Sequence, residues 1–198
     1  VSVLEKDIFK IESENIVLRD RCIEDLDDYI FWYTVEKEWM NWDAPWEKDE
    51  PFDIDGFKID FIKKLEKPLP AARRRFEICL NDGKHIGWMN SYYIDSNEDM
   101  LAIGIDIPQT LNRGHGIGKK AFSMFITYLL KNNPQRDIYT QTWSGNIRMM
   151  SLALKCGFRE FKREVDFKEI NGRFYDDITY KLDKDAFEKY SINEIINR

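Results

Sequence analysis

The run Arg113-Gly114-His115-Gly116-Ile117-Gly118 places three glycines at alternate positions, and Ile117, Ala121, Phe125 and Leu129 then recur at helical spacing. A glycine-rich turn that opens a helix is suited to a phosphate. The first N–H groups of a helix lack intrahelical acceptors, the helix dipole adds positive charge there, and glycines let an anion approach the backbone. Two familiar phosphate loops do not fit. A Walker A loop needs Ser or Thr after Gly118-Lys119 and glycine at 113, but these positions hold Lys120 and Arg113. A dinucleotide fingerprint begun at Gly114 needs glycine at 119, which is lysine.

The elements that must carry this loop are legible from periodicity. Residues 101–107 alternate, with Leu101, Ile103, Ile105 and Ile107 on one face and Ala102, Gly104 and Asp106 on the other, which predicts a strand whose small-residue face ends in a carboxylate. Pro108 stops it, and a helix follows over 116–130. Residues 74–80 and 84–93 flank Asn81-Asp82-Gly83 as a hairpin, and 158–167 and 173–182 flank Asn171-Gly172 as a second one. Between them lie a strand over 138–142 and a helix capped by Asn146, with Ile147, Met150 and Leu154 as its apolar stripe and Gly157 as its stop. The N-terminal part reads as a strand over 16–19, a helix over 24–33 and a proline-punctuated helix around 56–66; residues 185–197 read as a closing helix. This order is that of a mixed α/β chain.

Composition excludes several chemistries. Two histidines, His85 and His115, and three scattered cysteines leave little material for a metal site or a Ser-His-Asp triad, so no metal is expected. A net charge of −6 is wrong for a phosphate-neutralising surface, so nucleic acid is not the expected partner. No apolar run approaches the ~20 residues of a membrane span, and Val1 to Lys10 lacks the basic start and apolar stretch of a secretion signal, so the expected location is cytoplasmic. Between Glu36 and Asp55 eight acids face only Lys37 and Lys48, interleaved with Trp39, Trp42 and Trp46. Carboxylates beside aromatic faces suit a small cationic molecule or basic peptide, and Trp42, Asp43 and Trp46 are the candidate acceptor residues. On the second hairpin strand Trp88, Ser91 and Tyr93 are further candidates, Ser91 foremost, and Arg73-Arg74-Arg75 is a possible basic edge for phosphates.

Arg113, Gly116 and Gly118, between a strand and a helix, resemble the Gln/Arg-x-x-Gly-x-Gly/Ala signature of the GNAT superfamily of N-acetyltransferases. Asn146-Ile147-Arg148 through Lys155-Cys156-Gly157-Phe158 resembles that superfamily's second cofactor motif, and Asn171 to Asp176 with Tyr180 resembles the final hairpin of the branch that acetylates ribosomal-protein N-termini. The resemblance implies a single domain over 1–198: acceptor-side strand and helices at 1–72, sheet and cofactor core at 73–182, closing helix at 183–198. It implies a central, mostly antiparallel twisted sheet of about six to seven strands with helices on both faces. It also implies acetyl-CoA as cosubstrate, held by Ile107, Arg113, Gly114, His115, Gly116, Ile117, Gly118, Lys119 and Asn146, with the pantetheine arm along the edge of 101–107. The acceptor implied is a primary amine of aminoglycoside or polyamine type, attacking directly in a ternary complex. A peptide N-terminus is the alternative, as is a non-catalytic acyl-CoA sensor, and the assembly is a monomer or homodimer.

An amine that arrives as an ammonium must lose a proton before it attacks a thioester. Asp106 is the candidate base, because Gly104-Ile105-Asp106 resembles the strand of aminoglycoside 6′-N-acetyltransferases in which an Asp has that role; an ordinary strand-ending Asp is the alternative. A backbone N–H near Ile107 is the candidate oxyanion donor. Two departures affect mechanism. Ala153 stands where many members carry a tyrosine that protonates the leaving thiolate, with Ser151 or Tyr139 as possible substitutes; a thiol of pKa about 8.5 still leaves without that acid. Ala102 stands where the ribosomal-protein branch often carries a Glu.

Overall fold

The computed structural model describes residues 8–189. Its strands are β1 Lys10–Glu12, β2 Ile16–Arg19, β3 Arg75–Leu80, β4 His85–Tyr93, β5 Leu101–Asp106, β6 Ile138–Trp143, β7 Phe158–Ile170 and β8 Arg173–Leu182. They form one sheet in the order β1-β2-β3-β4-β5-β6-β8-β7, antiparallel throughout except between β5 and β6. Among the described residues the sheet therefore has eight strands, where about six to seven are expected. The additional one, β1, is a three-residue segment too short to show alternation.

The parallel pair needs a crossover, and α3, Ile117–Asn132, supplies it. Pairing between β5 and β6 is confined to Leu101 with Ile138 and Ala102 with Tyr139, although the strands continue to Asp106 and Trp143. Beyond Ala102 they part. That divergence opens the sheet at the point where the glycine loop begins.

Helices cover both faces. Met89 of β4 lies in a core with Leu18, Phe76, Ile78 and Ile103 against Phe122, Phe125 and Ile126 of α3 and Ala153 of α4, Ile147–Lys155. The adjacent Trp88 points the other way, into an aromatic cluster with Tyr29 and Trp32 of α1, Asp25–Thr34, and Phe61 of α2, Ile54–Glu66.

The stripe expected on α4 is rotated. Ile147 and Leu154 are exposed, while Ala153 and the following Cys156 are buried and Met149, Met150 and Leu152 pack at the edge of the core. Asn146 caps the helix as expected, its Oδ1 accepting from the Met149 N–H at 2.9 Å. Gly157 ends it with φ +86°, where a Cβ would lie 2.9 Å from the Phe187 nitrogen of the closing helix. Residues 184–189 of that helix are helical, and the remainder of the expected 185–197 span lies outside the described residues. Among the described residues no helix is long and apolar enough to cross a membrane.

Beneath α1 lies a buried ionic network. Glu77 accepts from Arg21 Nε at 2.9 Å, Arg75 Nε at 3.0 Å and the Tyr29 hydroxyl at 2.5 Å, and it faces His85 Nε2 at 3.2 Å. His85 Nδ1 lies 3.0 Å from Asp28 and 3.4 Å from Asp25, whose carboxylate is already clasped by Arg19 and the Cys22 N–H. Asp25, Asp28 and His85 thus bring metal-type ligands together, but their polar atoms are committed to one another and to arginines. With a carboxylate at each ring nitrogen, the imidazolium form of His85 can donate from both. Burial opposes that charge, yet Glu77, Asp25 and Asp28 outweigh it and raise the ring's pKa. The stabilisation is accordingly complete below the ordinary imidazole value of about 6.5 and is lost as pH rises through the raised value. In a melting-temperature series across that range, His85→Gln is expected to remove most of the wild-type decline.

Candidate active site between the diverging strands

Where β5 and β6 part, the sheet holds a cleft of about 1190 Å3. Its floor is one face of the sheet, with Asn90 and Tyr92 from β4, Gly104 and Asp106 from β5, Gln141 and Trp143 from β6 and Asp177 from β8. Trp39, Trp42, Asp43 and Trp46 form the roof, carried on a 3-10 turn, Lys37–Asn41, and the residues after it. The Trp143 indole donates to the Trp42 carbonyl at 2.7 Å, so this strap is fastened across the opening.

One wall is the glycine loop. Gly116 is the N-cap of α3 with φ +77° and offers no side-chain cap; the first intrahelical bond runs from Lys120 N to Gly116 O at 3.0 Å. The N–H groups of Ile117 and Gly118 precede that ladder, at the positive end of a 16-residue helix. Gly114 also has positive φ, +84°, and a Cβ at either glycine would meet nothing within 4 Å. Such a bare, donor-rich backbone fits a diphosphate.

The edge of β5 is a second such feature. The Thr140 hydroxyl donates to the Ile103 carbonyl at 2.7 Å, so this carbonyl points toward β6. Because backbone groups alternate sides along a strand, those of Ile105 face the same gap, where β6 no longer pairs.

The carboxylates are perturbed by this enclosure. Asp106 is raised well above the usual aspartate range, first by desolvation and then by Asp43, with Arg75 and Arg113 opposing. Asp43 is raised by desolvation and by Glu47, though it stands nearer bulk water. Tyr33 is pushed up to about 12 by burial, then by Asp106 and Asp43; Tyr92 is pushed up to about 12 by burial, then by Asp177 and Asp43. These couplings set out a row of acids, Asp106, Asp43 and Asp177, with a tyrosine near each junction. Among the described residues none of the three forms an ion pair.

The family model for the acetyltransferase (GNAT) domain matches residues 15–159, well over half of the chain. The chain belongs to the GNAT acetyltransferase family. Spermidine N-acetyltransferase from Vibrio cholerae, in complex with CoA and spermine, is similar in structure at TM-score 0.70 and 19% identity, covering 88% of this chain and 99% of that one. The ribosomal L7/L12 alpha-N-protein acetyltransferase RimL, in complex with coenzyme A, matches at TM-score 0.70 and 14% identity over 87% of this chain and 97% of its own. Ribosomal-protein-S5-alanine acetyltransferase from Vibrio fischeri matches at 0.66 and 19%, over 87% and 95%. None of the curated proteins matches the chain. These likenesses show a shared GNAT fold.

As a GNAT acetyltransferase the enzyme draws its acetyl group from acetyl-CoA, and the bare loop and the open β5 edge fit that cosubstrate. Not every residue expected to hold it faces the cleft. Arg113, Gly114, Gly116, Gly118, Lys119, Ile107 and Asn146 line it; His115 is solvent-exposed outside it, and the Ile117 side chain packs on the core, leaving only its backbone for a ligand. The Arg113 side chain braces the loop, donating to the carbonyls of Ile107 and Pro108 and to Glu38. The arginines at 73–75 are engaged elsewhere, by Asp20, by Tyr93 and Ser91, and by Glu77.

On the acceptor side Trp42, Asp43 and Trp46 line the cleft, but Arg148 lies 4.1 Å over the Trp42 ring and Lys168 lies 4.9 Å over Trp46. Those ring faces hold the enzyme's own cations. Ser91 lies outside the cleft, its hydroxyl donating to the Arg74 carbonyl at 3.2 Å. Asn90 and Tyr92 of the same strand line the cleft instead. Counting by twos from Trp88 would have found them, since strand residues alternate faces. Gly104 makes room for Asn90, whose Oδ1 lies 3.1 Å from where a Cβ would stand. Phe167 reaches the rim from a bulge in β7, where the register shifts between Glu164 and Lys168. Ala153 is fully buried; of its two suggested substitutes, Ser151 lines the cleft and Tyr139 is buried away from it with Ile94 and Ala102.

Proposed function

We propose that this GNAT enzyme acetylates a primary amine of a small cationic molecule, of aminoglycoside or polyamine type, by direct attack in a ternary complex. The observation that carries the reading is the set of unpaired carboxylates, Asp43, Asp106 and Asp177, on one cleft lined with aromatic rings. An ammonium entering this cleft meets negative charge without displacing an existing cation from these acids. Acetyl-CoA supplies the activated acyl group. The amides of Ile117 and Gly118 hold its diphosphate, the β5 edge aligns its arm, and Asp106 Oδ takes the proton from the amine. The N–H of Ile107 is the donor for the charge that develops on the acyl oxygen, and Ser151, which lines the cleft, is the hydroxyl candidate for the departing thiolate.

A protein N-terminus is the second reading, favoured by the β7–β8 hairpin, which contributes Phe167 and Asp177 to the cleft and resembles that of the ribosomal-protein branch. CoA release measured with polyamines, aminoglycosides and basic peptides separates the two. Polyamines or aminoglycosides are expected to be the fastest acceptors; turnover of peptides alone overturns the proposal. Asp43→Asn is expected to raise KM for a cationic acceptor about tenfold, the worth of one charge-assisted hydrogen bond of ~1.5 kcal/mol, with CoA affinity unchanged. Equal KM values in mutant and wild type would remove Asp43 from the acceptor site.

A further inference from the structure

We propose that Glu38 is a positioning residue that couples the cosubstrate loop to the acceptor wall. It sits in the 3-10 turn at the start of the strap, and its two oxygens serve different elements. Oε1 accepts from the Trp42 indole at 2.8 Å. Oε2 accepts from Arg113 Nη1 at 2.5 Å and from the Thr110 hydroxyl at 3.3 Å. Thr110 and Arg113 lie on the segment that leads into Gly114 and Gly116, more than 70 residues along the chain from Glu38.

From there the connection continues across the cleft. The Trp42 carbonyl accepts from Trp143 at the end of β6, and its ring lies under Arg148 of α4. Arg113 also holds the carbonyls of Ile107 and Pro108, directly after β5. One carboxylate therefore joins the rim of β5 and the glycine loop to the strap that carries Trp42, Asp43 and Trp46. A ligand that orders the loop fixes Arg113, Arg113 fixes Glu38 through a charge-assisted bond, and Glu38 orders the strap. An acceptor then meets a wall already in place, and by reciprocity an acceptor on the strap tightens cosubstrate binding.

This inference rests on the proposed reading of the two walls, and amide hydrogen exchange on the full chain, with CoA as the probe, tests the two separately. In the wild type CoA is expected to slow exchange at residues 113–120 and also at 38–46. Glu38→Gln keeps an acceptor for Trp42 but lacks the charge that holds Arg113; CoA should still protect 113–120, while its effect on 38–46 falls by about tenfold, within the usual range of coupling between sites. Trp42→Phe, which removes the indole donor and keeps a smaller aromatic ring under Arg148, should behave in the same way and provides a second route should the first variant fold poorly. A purely structural role would speed exchange of 38–46 equally with and without CoA, leaving the ratio as in the wild type, and would overturn the coupling. Protection of the loop without the strap in the wild type also overturns it. If CoA protects neither segment, the assignment of the loop itself fails.

Discussion

Asp106→Asn is expected to lower turnover at neutral pH by about 100-fold or more, the usual contribution of a positioned general base, while leaving CoA affinity unchanged. The carboxylate lies on the cleft floor, desolvated and close to Asp43, so its pKa is held well above the ordinary aspartate range. As a base it works only when ionised; wild-type turnover should therefore fall as pH drops through this raised value. The asparagine variant should lack that limb of the profile. A variant whose pH–rate profile matches the wild type would exclude Asp106 from the role.

The same shift makes a prediction about stability of opposite sign. A carboxylate with a raised folded pKa binds its proton more tightly in the native state. Its stabilising effect is present at low pH and declines as pH rises from the unfolded value through the folded one. Ionised Asp106 thus costs stability at neutral pH, and asparagine removes that cost. The slow variant should melt at a higher temperature than the wild type at neutral pH, with the difference vanishing in acid. Loss of activity through damage to the fold would give the reverse, so thermal denaturation at two pH values distinguishes the explanations.

Gly116→Val is expected to weaken CoA binding by more than about 100-fold, the loss of two amide-to-phosphate hydrogen bonds at roughly 1.5–3 kcal/mol each. A clash with the protein is not the cause, because a Cβ at 116 would meet nothing within 4 Å. The cause is the backbone: φ is +77°, a region that costs an ordinary L-residue about 1–2 kcal/mol and that β-branched residues avoid. The loop must take another path, and the N–H groups of Ile117 and Gly118 turn with it. Since α3 is anchored by Phe122, Phe125 and Ile126 in the core, the fold should persist with unchanged far-ultraviolet circular dichroism. Undiminished affinity in calorimetry would mean that the diphosphate binds elsewhere.

The cofactor side of the enzyme was the more legible in its sequence because its signals are local. Alternation in 101–107, glycines at 114, 116 and 118, and the apolar series of α3 lie within thirty residues, and each reflects a backbone requirement that side-chain type reports directly. The acceptor side was less legible. Ser91 lies off the two-residue period that runs from Trp88, and Asn90 and Tyr92, which follow that period, line the cleft floor. The stripe of α4 was misplaced because a nine-residue helix offers few periods, and its exposed Ile147 lies at the cleft rather than in the core.

What the amino-acid order alone determined was the series of strands and helices, the family signature and the bare helix start, all properties of short segments whose local conformations follow from residue type. Tertiary structure decided which charges remain available. It placed Arg148 and Lys168 over the tryptophans, committed Arg113 to Glu38 and two carbonyls, buried His85 among carboxylates, and left Asp43, Asp106 and Asp177 unpaired around one opening. Those outcomes depend on segments far apart in the chain meeting in space, and on the desolvation that follows when they do, so no local pattern could report them.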